Sequence, residues 1–472
     1  MFVSKAKKMD HPILKNIQIL GLFMAALIFR LTYIFLIWLL DGEFINSSDS
    51  LKHVNLALNL LEHGALVNQD IAGFGRDVGR MPLYSYFLAG AFSIFGYERI
   101  WLIPLVQAFI DSLTVVSLGL IAGAINTKYA MTGALIAAAW TSLIVSSSFV
   151  LTDTIFMAFF CWGICSCLFA TRHTNSIKLL TIGGILLSCA LLTRPTLMFF
   201  PYVFLPIFAL MLVRLSSYNW IRAILLSAIP SVIMLLSLVP WILINHSHYG
   251  SPVLTTQSGN HSLDIVDQFI RLCEPCVSEN KEERMHASIA ALIDKENEDN
   301  KLNPVYIDQI KREVALKTLL EIPPGVLLLG LTQASIRSLV QTGLYRTGHQ
   351  LGLEPKFFSS INGDSTVHRL LSFFSEARKS TYLFSWLLGQ SVAILAVMFQ
   401  VVGGIVLFRK KETRPYLLFL LFLALYFLAV NGPFGNPRYS LPLAPTQIVL
   451  MAVGLYHFFL YCWPITIRTN KV

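Results

Sequence analysis

The run ILKNIQILGLFMAALIFRLTYIFLIWLL, residues 13–40, decides the fold class, because its only charged side chains are Lys15 and Arg30. A transmembrane helix needs about 20 predominantly apolar residues, so this run is long enough to cross a bilayer. It is too long for the hydrophobic region of a signal peptide and lacks a small-residue cleavage site, so we expect an uncleaved first span. Arg30 lies midway along it, and we expect its side chain to face the bundle interior and pair with a polar neighbour.

The rest of the chain has the same apolar character. Of its 472 residues, 55% are hydrophobic and 13% are charged, whereas soluble domains average about 25% charged residues. The net charge of +9 comes from short basic clusters between apolar runs, which is typical of cytoplasmic loops rather than of a nucleic-acid-binding surface. The composition therefore predicts a polytopic membrane protein that contacts membrane lipids and has no nucleic-acid partner.

The apolar runs and the basic clusters between them predict an orientation for each segment. With the N-terminus in the cytoplasm, every dense basic cluster lies inside if the apolar run 83–95 does not cross the membrane. That run is too short for a span, and residues 49–63 have the spacing of a surface helix. The fold class predicted is an all-α polytopic membrane protein with outer-face juxtamembrane helices, a mainly α extracytoplasmic domain and cytoplasmic termini. Its spans number about ten: 13–40, 101–125, 130–149, 154–170, 179–192, 196–213, 221–244, 382–408, 416–430 and 441–463.

Composition divides the chain into three parts. Residues 1–244 form a transmembrane catalytic core whose first outer loop is 41–100, residues 245–381 form a polar extracytoplasmic loop domain, and residues 382–472 hold the C-terminal transmembrane helices. Within the loop domain, residues 325–344 are expected to form an amphipathic juxtamembrane helix. Cys273 and Cys276 form a CxxC without an obvious second ligand pair for zinc, and a local disulfide and two free thiols both stay open.

Five charged residues share the outer membrane face under this topology: Asp49, Arg80, Asp153, Arg194 and Arg438. Each has a structural explanation as well as a functional one. The two acids stand where helix N-caps are expected, and arginines at membrane boundaries are often snorkelling anchors. Arg438 ends the turn-rich loop 431–438, and a rigid loop that presents one guanidinium group suits phosphate binding.

Short motifs around these residues resemble the GT-C superfamily of integral-membrane glycosyltransferases, in particular the group of aminoarabinose transferases and protein O-mannosyltransferases. The chain departs from the family pattern twice, since His53 replaces a tyrosine and Ile244 stands where an arginine is expected. The matching motifs, in chain order, are Asp49 with Ala57, Asn59-Leu60-Leu61 and Gly64; Arg80-Met81-Pro82-Leu83-Tyr84; Thr152-Asp153; Arg194-Pro195-Thr196; Pro240-Trp241 with Asn245; and Arg438-Tyr439-Ser440-Leu441-Pro442.

The resemblance implies a glycosyltransferase that moves a sugar from a polyprenyl-phosphate donor to a hydroxyl or phosphate of a glycan, lipid or protein. Asp49 is then the general base, and Asp153 orients the acceptor or shares a bound cation. No cofactor is certain, and a divalent cation held by the two acids stays open. The donor-phosphate ligands expected are Arg80, Arg438 and Arg194, and the substrate-binding residues expected are His53, Tyr84 and Tyr439.

The membrane expected is the bacterial inner membrane, with the active site on its extracytoplasmic side. Two other functions stay open. A transporter or flippase of lipid-linked sugars usually shows internal repeats and mid-membrane polar residues, and neither is evident in the sequence. A polysaccharide polymerase or ligase also uses polyprenyl-linked sugars, but an acid straight after the first span argues against it.

Overall fold

A computed structural model describes residues 14–45, 47–68, 75–172, 176–216, 218–272, 281–297, 303–340, 342–352, 372 and 381–462. Nearly all the secondary structure in these residues is helical, as the fold class predicted. The helices are α1 (Asn16–Leu39), α2 (Ser48–His63), α3 (Pro82–Phe95), α4 (Leu102–Ile125), α5 (Ala130–Ala138), α6 (Thr141–Ser148), α7 (Asp153–Ala170), α8 (Ser176–Thr193), α9 (Phe200–Ser216), α10 (Trp220–Tyr249), α11 (Ser258–Leu272), α12 (Lys281–Asn297), α13 (Pro304–Leu320), α14 (Pro324–Val340), α15 (Leu344–Gln350), α16 (Thr381–Arg409), α17 (Arg414–Asn431), α18 (Pro437–Ser440) and α19 (Ala444–Cys462).

Eight helical segments among the described residues are long and apolar enough to cross a membrane. They correspond to eight of the ten predicted spans. The predicted sixth span is the shorter apolar helix α9, and the predicted third span is the pair α5 and α6, which meet at a bend of 48°. The fold class is therefore confirmed, but the third span is broken where the sequence predicted a continuous helix.

Polar side chains from neighbouring helices satisfy the backbone at this break. Arg30 in α1 donates a hydrogen bond from Nη1 to the carbonyl oxygen of Ala138 over 3.1 Å. At the far end of α6, Gln107 in α4 donates from Nε2 to the carbonyl oxygens of Ser147 and Phe149, at 3.1 and 2.6 Å. Carbonyl groups that leave a helix inside a bilayer need such donors, because no water is present to replace the lost backbone bonds.

Arg30 also forms an ion pair inside the bundle. Its Nε lies 2.7 Å from Oδ2 of Asp111 in α4, and both side chains are buried. The predicted interior pairing of Arg30 is thus confirmed, and Asp111 is the partner that sequence reasoning did not find. Because Arg30 bonds both Asp111 and the α5 carbonyl, it joins α1, α4 and the break in the third span.

The segment predicted to be the first outer loop contains two helices separated by a small hairpin. Ser47 caps α2 by accepting a hydrogen bond from Ser50 N, and Gly64 ends that helix with a left-handed φ of 68°. A two-residue strand pair, β1 (Val67–Asn68) with β2 (Gly75–Arg76), follows in antiparallel register. α3 then packs against α2 through the apolar cluster of Val54, Ala57, Tyr84 and Leu88. This packing fixes the N-terminus of α2 relative to that of α3.

The segment predicted to be extracytoplasmic holds α11 to α15. Helices α11 to α14 share a small apolar core that includes Val266, Phe269, Met285 and Val326. The expected amphipathic helix over 325–344 corresponds to α14. The division of the chain into three domains stays a prediction, and Cys273 and Cys276 lie outside the described residues.

Separating the buried ion pair should destabilise the protein strongly. We expect Arg30→Met or Asp111→Leu alone to lower the free energy of unfolding by about 3–5 kcal/mol, since each leaves one charge buried without its partner. The double variant should lose less than the sum of the two single losses. Unfolding of purified protein in detergent measures this, with exposed Glu98→Gln as control. Strictly additive losses would show that the two charges do not interact.

Candidate active site

The two predicted acids lie at the first turns of different helices, but neither caps its helix. Asp49 follows Ser48 in α2, whose N-cap is Ser47. Asp153 is the first residue of α7, and Thr152 holds the N-cap position. The capping explanation is therefore wrong for both acids, and their carboxylates are directed to other partners.

Asp49 joins two arginines that lie far apart in the sequence. Its Oδ1 accepts a hydrogen bond from Nη2 of Arg80, and its Oδ2 accepts one from Nη1 of Arg438 at 2.7 Å. The Asp49 side chain keeps 32% of its surface exposed. This carboxylate is thus held by two cations and still reachable from outside.

Asp153 is fully buried and lies among three guanidinium groups. Arg194 donates from Nη1 to its Oδ1 at 2.5 Å. Arg438 Nε lies 3.3 Å from its Oδ2, and Arg346 Nη2 lies 3.7 Å from the same oxygen. Arg438 therefore contacts both acids, and the structure brings together all five charged residues that the sequence placed at the outer face.

Arg346 is the member of this cluster that sequence reasoning missed. It lies in α15, and its guanidinium group stacks 4.1 Å above the Phe149 ring while Nη1 donates to Ser146 Oγ at 3.0 Å. The sequence offers one weak signal for a functional role of Arg346: this arginine lies between Gly343 and Gly348 with no acid nearby. Its role depends on a contact with Asp153 that no local pattern predicts.

Polar contacts fix α15 against the membrane helices. Gln350 donates from Nε2 to Ser148 Oγ at 2.9 Å and accepts from Tyr33 OH at 2.9 Å. The Gln350 carbonyl oxygen also accepts from Glu43 N at 2.8 Å. These bonds hold α15 over α6, which places Arg346 beside Asp153.

Neighbouring loops position Arg80. In the loop before Arg80, the Val78 carbonyl oxygen accepts a hydrogen bond from Thr256 N at 2.9 Å, and the Gly79 carbonyl oxygen accepts one from Thr255 Oγ1 at 3.2 Å. Residues of the Pro-Trp and Asn motif in α10 hold the loop that carries these threonines. Trp241 Nε1 donates to Leu254 O, and Asn245 Nδ2 donates to Val253 O, both at 2.9 Å.

A short turn presents Arg438. Asn436 caps α18 by accepting a hydrogen bond from Arg438 N at 2.9 Å, and Asn431 Nδ2 donates to Tyr439 O at 2.6 Å. The Tyr439 ring lies 5.4 Å from the Phe434 ring. Tyr439 thus packs within the loop that carries Arg438.

His53 and Tyr84 lie behind Asp49 and are almost fully buried. His53 Nδ1 lies 3.2 Å from Ser85 Oγ, and its ring meets the Tyr84 ring edge-on at 5.1 Å. Tyr84 OH donates to Gln107 Oε1 at 2.9 Å. Contact of these side chains with a substrate stays a prediction, while the structure shows them supporting α2 and α3.

The cluster carries more positive charge than negative. Its four arginines are Arg80, Arg194, Arg346 and Arg438, and they face two carboxylates. Burial disfavours ionisation of Asp49, but the charges of Arg438 and Arg80 outweigh it and lower its pKa to about 2. Burial, followed by the charge of Arg80, lowers the pKa of His53 to about 3. At neutral pH every arginine of the cluster contacts a carboxylate, but the four guanidinium groups exceed the two carboxylates by two positive charges.

One guanidinium atom in the cluster is directed to no acceptor. Arg80 Nε is buried and has no hydrogen-bond partner among the described residues. Buried donors are normally paired, so this one calls for an acceptor from a ligand. Asp153 Oδ2 is also buried without a hydrogen-bond partner among the described residues, although Arg438 Nε and Arg346 Nη2 lie 3.3 and 3.7 Å from it. A divalent cation held by the two acids stays a prediction. The excess of guanidinium groups over carboxylates favours an anion at Arg80.

The first half of the chain matches a known family. The model described as dolichyl-phosphate-mannose-protein mannosyltransferase matches residues 21–249. The matched residues make up just under half of the chain. This match agrees with the resemblance to the GT-C superfamily that the motifs indicated. The family and the apolar helices also show an integral membrane protein, as predicted.

Two solved structures are also similar to this chain. ArnT from Cupriavidus metallidurans bound to undecaprenyl phosphate has a TM-score of 0.38 and 14% identity, and the match covers 91% of this chain and 77% of that one. The same protein in the apo state has a TM-score of 0.36, with 14% identity and the same coverage. No curated protein sequence matches the chain.

Inorganic phosphate should stabilise this protein more than chloride at equal ionic strength, because the guanidinium groups of the cluster outnumber its carboxylates. At a hundredfold excess over its Kd, a ligand adds about 2.7 kcal/mol to the stability of the folded state. The phosphate-dependent rise in Tm should disappear in Arg80→Gln and persist in Arg99→Gln, an exposed arginine outside the cluster. An equal rise in both variants would show that phosphate binds elsewhere.

Proposed function

We propose that this protein transfers a sugar from a polyprenyl-phosphate donor to an acceptor hydroxyl or phosphate at the extracytoplasmic face of the membrane. The observation that carries the proposal is the cluster of two acids and four arginines, in which Arg438 contacts both Asp49 and Asp153. The description of the matching family, a dolichyl-phosphate-mannose-dependent transferase, supports a lipid phosphate as the donor group. We also propose the bacterial inner membrane as the location, with both termini in the cytoplasm.

The phosphate group of the donor becomes more negative during the reaction, and the positive cluster favours this change. A polyprenyl-phosphate sugar is a phosphodiester with one negative charge, and the departing polyprenyl phosphate is a monoester with a charge of about −1.5 to −2 near pH 7. The two excess positive charges therefore stabilise the leaving group more than the bound donor. Interactions that strengthen as the bond breaks lower the barrier, whereas uniform binding does not.

The two acids differ in access, which assigns them different roles. Asp49 is partly exposed and Asp153 is fully buried. Asp49 is thus the general base that takes the proton from the acceptor hydroxyl as its oxygen attacks the anomeric carbon. The bond from that carbon to the phosphate oxygen breaks, and its electron pair leaves with the phosphate. A single displacement of this kind inverts the anomeric centre.

Asp153 acts on the arginines rather than on the acceptor. It contacts Arg194, Arg346 and Arg438, and so holds three guanidinium groups in one place before the donor arrives. Donors fixed in advance lose little energy to reorganisation during the reaction. A phosphate bound to Arg80 and Arg438 offsets part of the positive charge that these arginines place next to Asp49. The pKa of the Asp49 carboxyl then rises towards its usual value, which makes the carboxylate a stronger base.

Nucleotide sugars are cytoplasmic, whereas the proposed site faces the opposite side of the membrane. A lipid-linked donor is available on that side, because the carrier holds its apolar chain in the bilayer and presents its sugar at the outer surface. The exposed carboxylate of Asp49, at the start of the surface helix α2, suits an acceptor that approaches from the aqueous side.

The first test is Asp49→Asn, which keeps the shape of the side chain but removes the base. Transfer should fall by about 10²–10⁴, the usual contribution of general base catalysis. Release of polyprenyl phosphate from a polyprenyl-phosphate sugar measures the reaction. Asp264→Asn in α11, an exposed acid outside the cluster, is the matched control. Activity near the wild-type level in Asp49→Asn would remove this acid from catalysis.

The second test is Arg438→Ala, which removes the group shared by both acids. We expect kcat/KM for the donor to fall by about 10²–10³, the loss measured when one charge-stabilising donor is deleted elsewhere. Arg438→Lys should recover little, because a lysine ammonium cannot contact two carboxylates with the planar geometry of a guanidinium group. Unchanged donor dependence in Arg438→Ala would rule out its role in binding the phosphate.

A further inference from the structure

A second cluster of ionisable side chains lies in the segment predicted to be extracytoplasmic, away from the candidate active site. Asp267 in α11 faces Glu282 and His286 in α12, and one ligand atom from each lies within 4.8 Å of the other two. We propose that these three residues bind a divalent transition-metal ion, and that Zn²⁺ is the best chemical match. Two carboxylates and one imidazole form a donor set that this ion accepts, with water completing the tetrahedron.

The spacing of the ligand atoms fits a metal of this size. Zinc ligands at about 2.0–2.1 Å in a tetrahedron are separated by about 3.3 Å. His286 Nε2 and Asp267 Oδ2 form a direct hydrogen bond at 3.3 Å, and a metal that replaces the shared proton needs the same separation of these two atoms. Glu282 and His286 are four residues apart in one helix, which places both on the same face. A rotation of the Glu282 side chain completes the set.

Asp267 has an oxygen that needs a partner. Its Oδ1 is buried and accepts no hydrogen bond from the described residues, although the side chain as a whole is 14% exposed. Buried carboxylate oxygens are normally satisfied by donors or cations. A metal between the two helices that is bound by both carboxylate oxygens of Asp267 satisfies Oδ1 as well as Oδ2. The His286 side chain is half exposed, so an ion can reach the site from solvent.

Arg271 occupies part of the site in the absence of a metal. Its Nη2 lies 2.6 Å from Glu282 Oε1, and the arginine side chain is 60% exposed. Exposed ion pairs of this type are weak, so a metal displaces the guanidinium group easily. Arg271 thus competes with the ion for Glu282, and its removal should strengthen metal binding.

The metal would connect the two helices to the loop that carries Arg438. His261 at the start of α11 stacks on the Phe434 ring with centroids 5.3 Å apart. Phe434 in turn packs against Tyr439, the neighbour of Arg438. A clamp between α11 and α12 therefore stiffens the support of this loop without touching the acids or arginines of the active site.

The experiment measures Zn²⁺ binding to the purified full chain, freed of metal by chelation and carrying no histidine tag. Wild type should bind one Zn²⁺ per chain, more tightly than Mg²⁺. Asp267→Asn and His286→Gln should each weaken Zn²⁺ binding by at least about tenfold, the loss that even second-shell substitutions cause. Glu283→Gln, an exposed neighbour in α12, should bind like wild type, and Arg271→Gln should bind more tightly.

Two results would overturn the proposal. One is the absence of stoichiometric Zn²⁺ in wild type. The other is equal binding by wild type, Asp267→Asn and His286→Gln, which would place any bound ion elsewhere. Circular dichroism of each variant separates loss of the ligand from loss of the fold.

Discussion

The contact of Arg438 with both Asp49 and Asp153 is the interaction on which the rest of the site depends. The two acids begin different helices, and Arg438 is the ion-pair partner that they share among the described residues. Through Arg438 the surface helix α2, the transmembrane helix α7 and the loop before α19 meet at one point. Arg80, Arg194 and Arg346 contact the same two acids from three further segments, so the cluster connects the loops that carry them to the helix bundle.

Excess charge in a mostly buried place costs stability, because each ion loses hydration that its partners only partly replace. The same burial lowers the local dielectric and strengthens the attraction for an incoming phosphate. The helices around the cluster supply the rigidity that this requires. Gln107 is an example. It accepts a hydrogen bond from Tyr84 in α3 and donates to the carbonyl groups at the end of α6, so one side chain supports both α3 and the broken span.

Sequence reasoning predicted the helices and most charged residues of the site because both leave local signals. Apolar length indicates a span, and a charge beside an apolar run indicates a membrane boundary. The features it missed depend on contacts between distant segments. Arg346 is recognised only by its contact with Asp153, and Asp111 is recognised only by its ion pair with Arg30. The break after Ala138 is accompanied by a hydrogen bond from the Arg30 guanidinium group to the Ala138 carbonyl oxygen, which the local sequence does not indicate.

The most direct test compares binding of a polyprenyl phosphate monoester with that of its sugar diester, without acceptor, between pH 5 and 8. Asp49 and His53, with pKa values of about 2 and 3, do not titrate in this range. The monoester gains its second negative charge near pH 6. The account predicts that the monoester binds more tightly than the diester and that this preference grows as the pH rises. Equal affinities at every pH would contradict it, since a site with two excess positive charges must distinguish the two ligands.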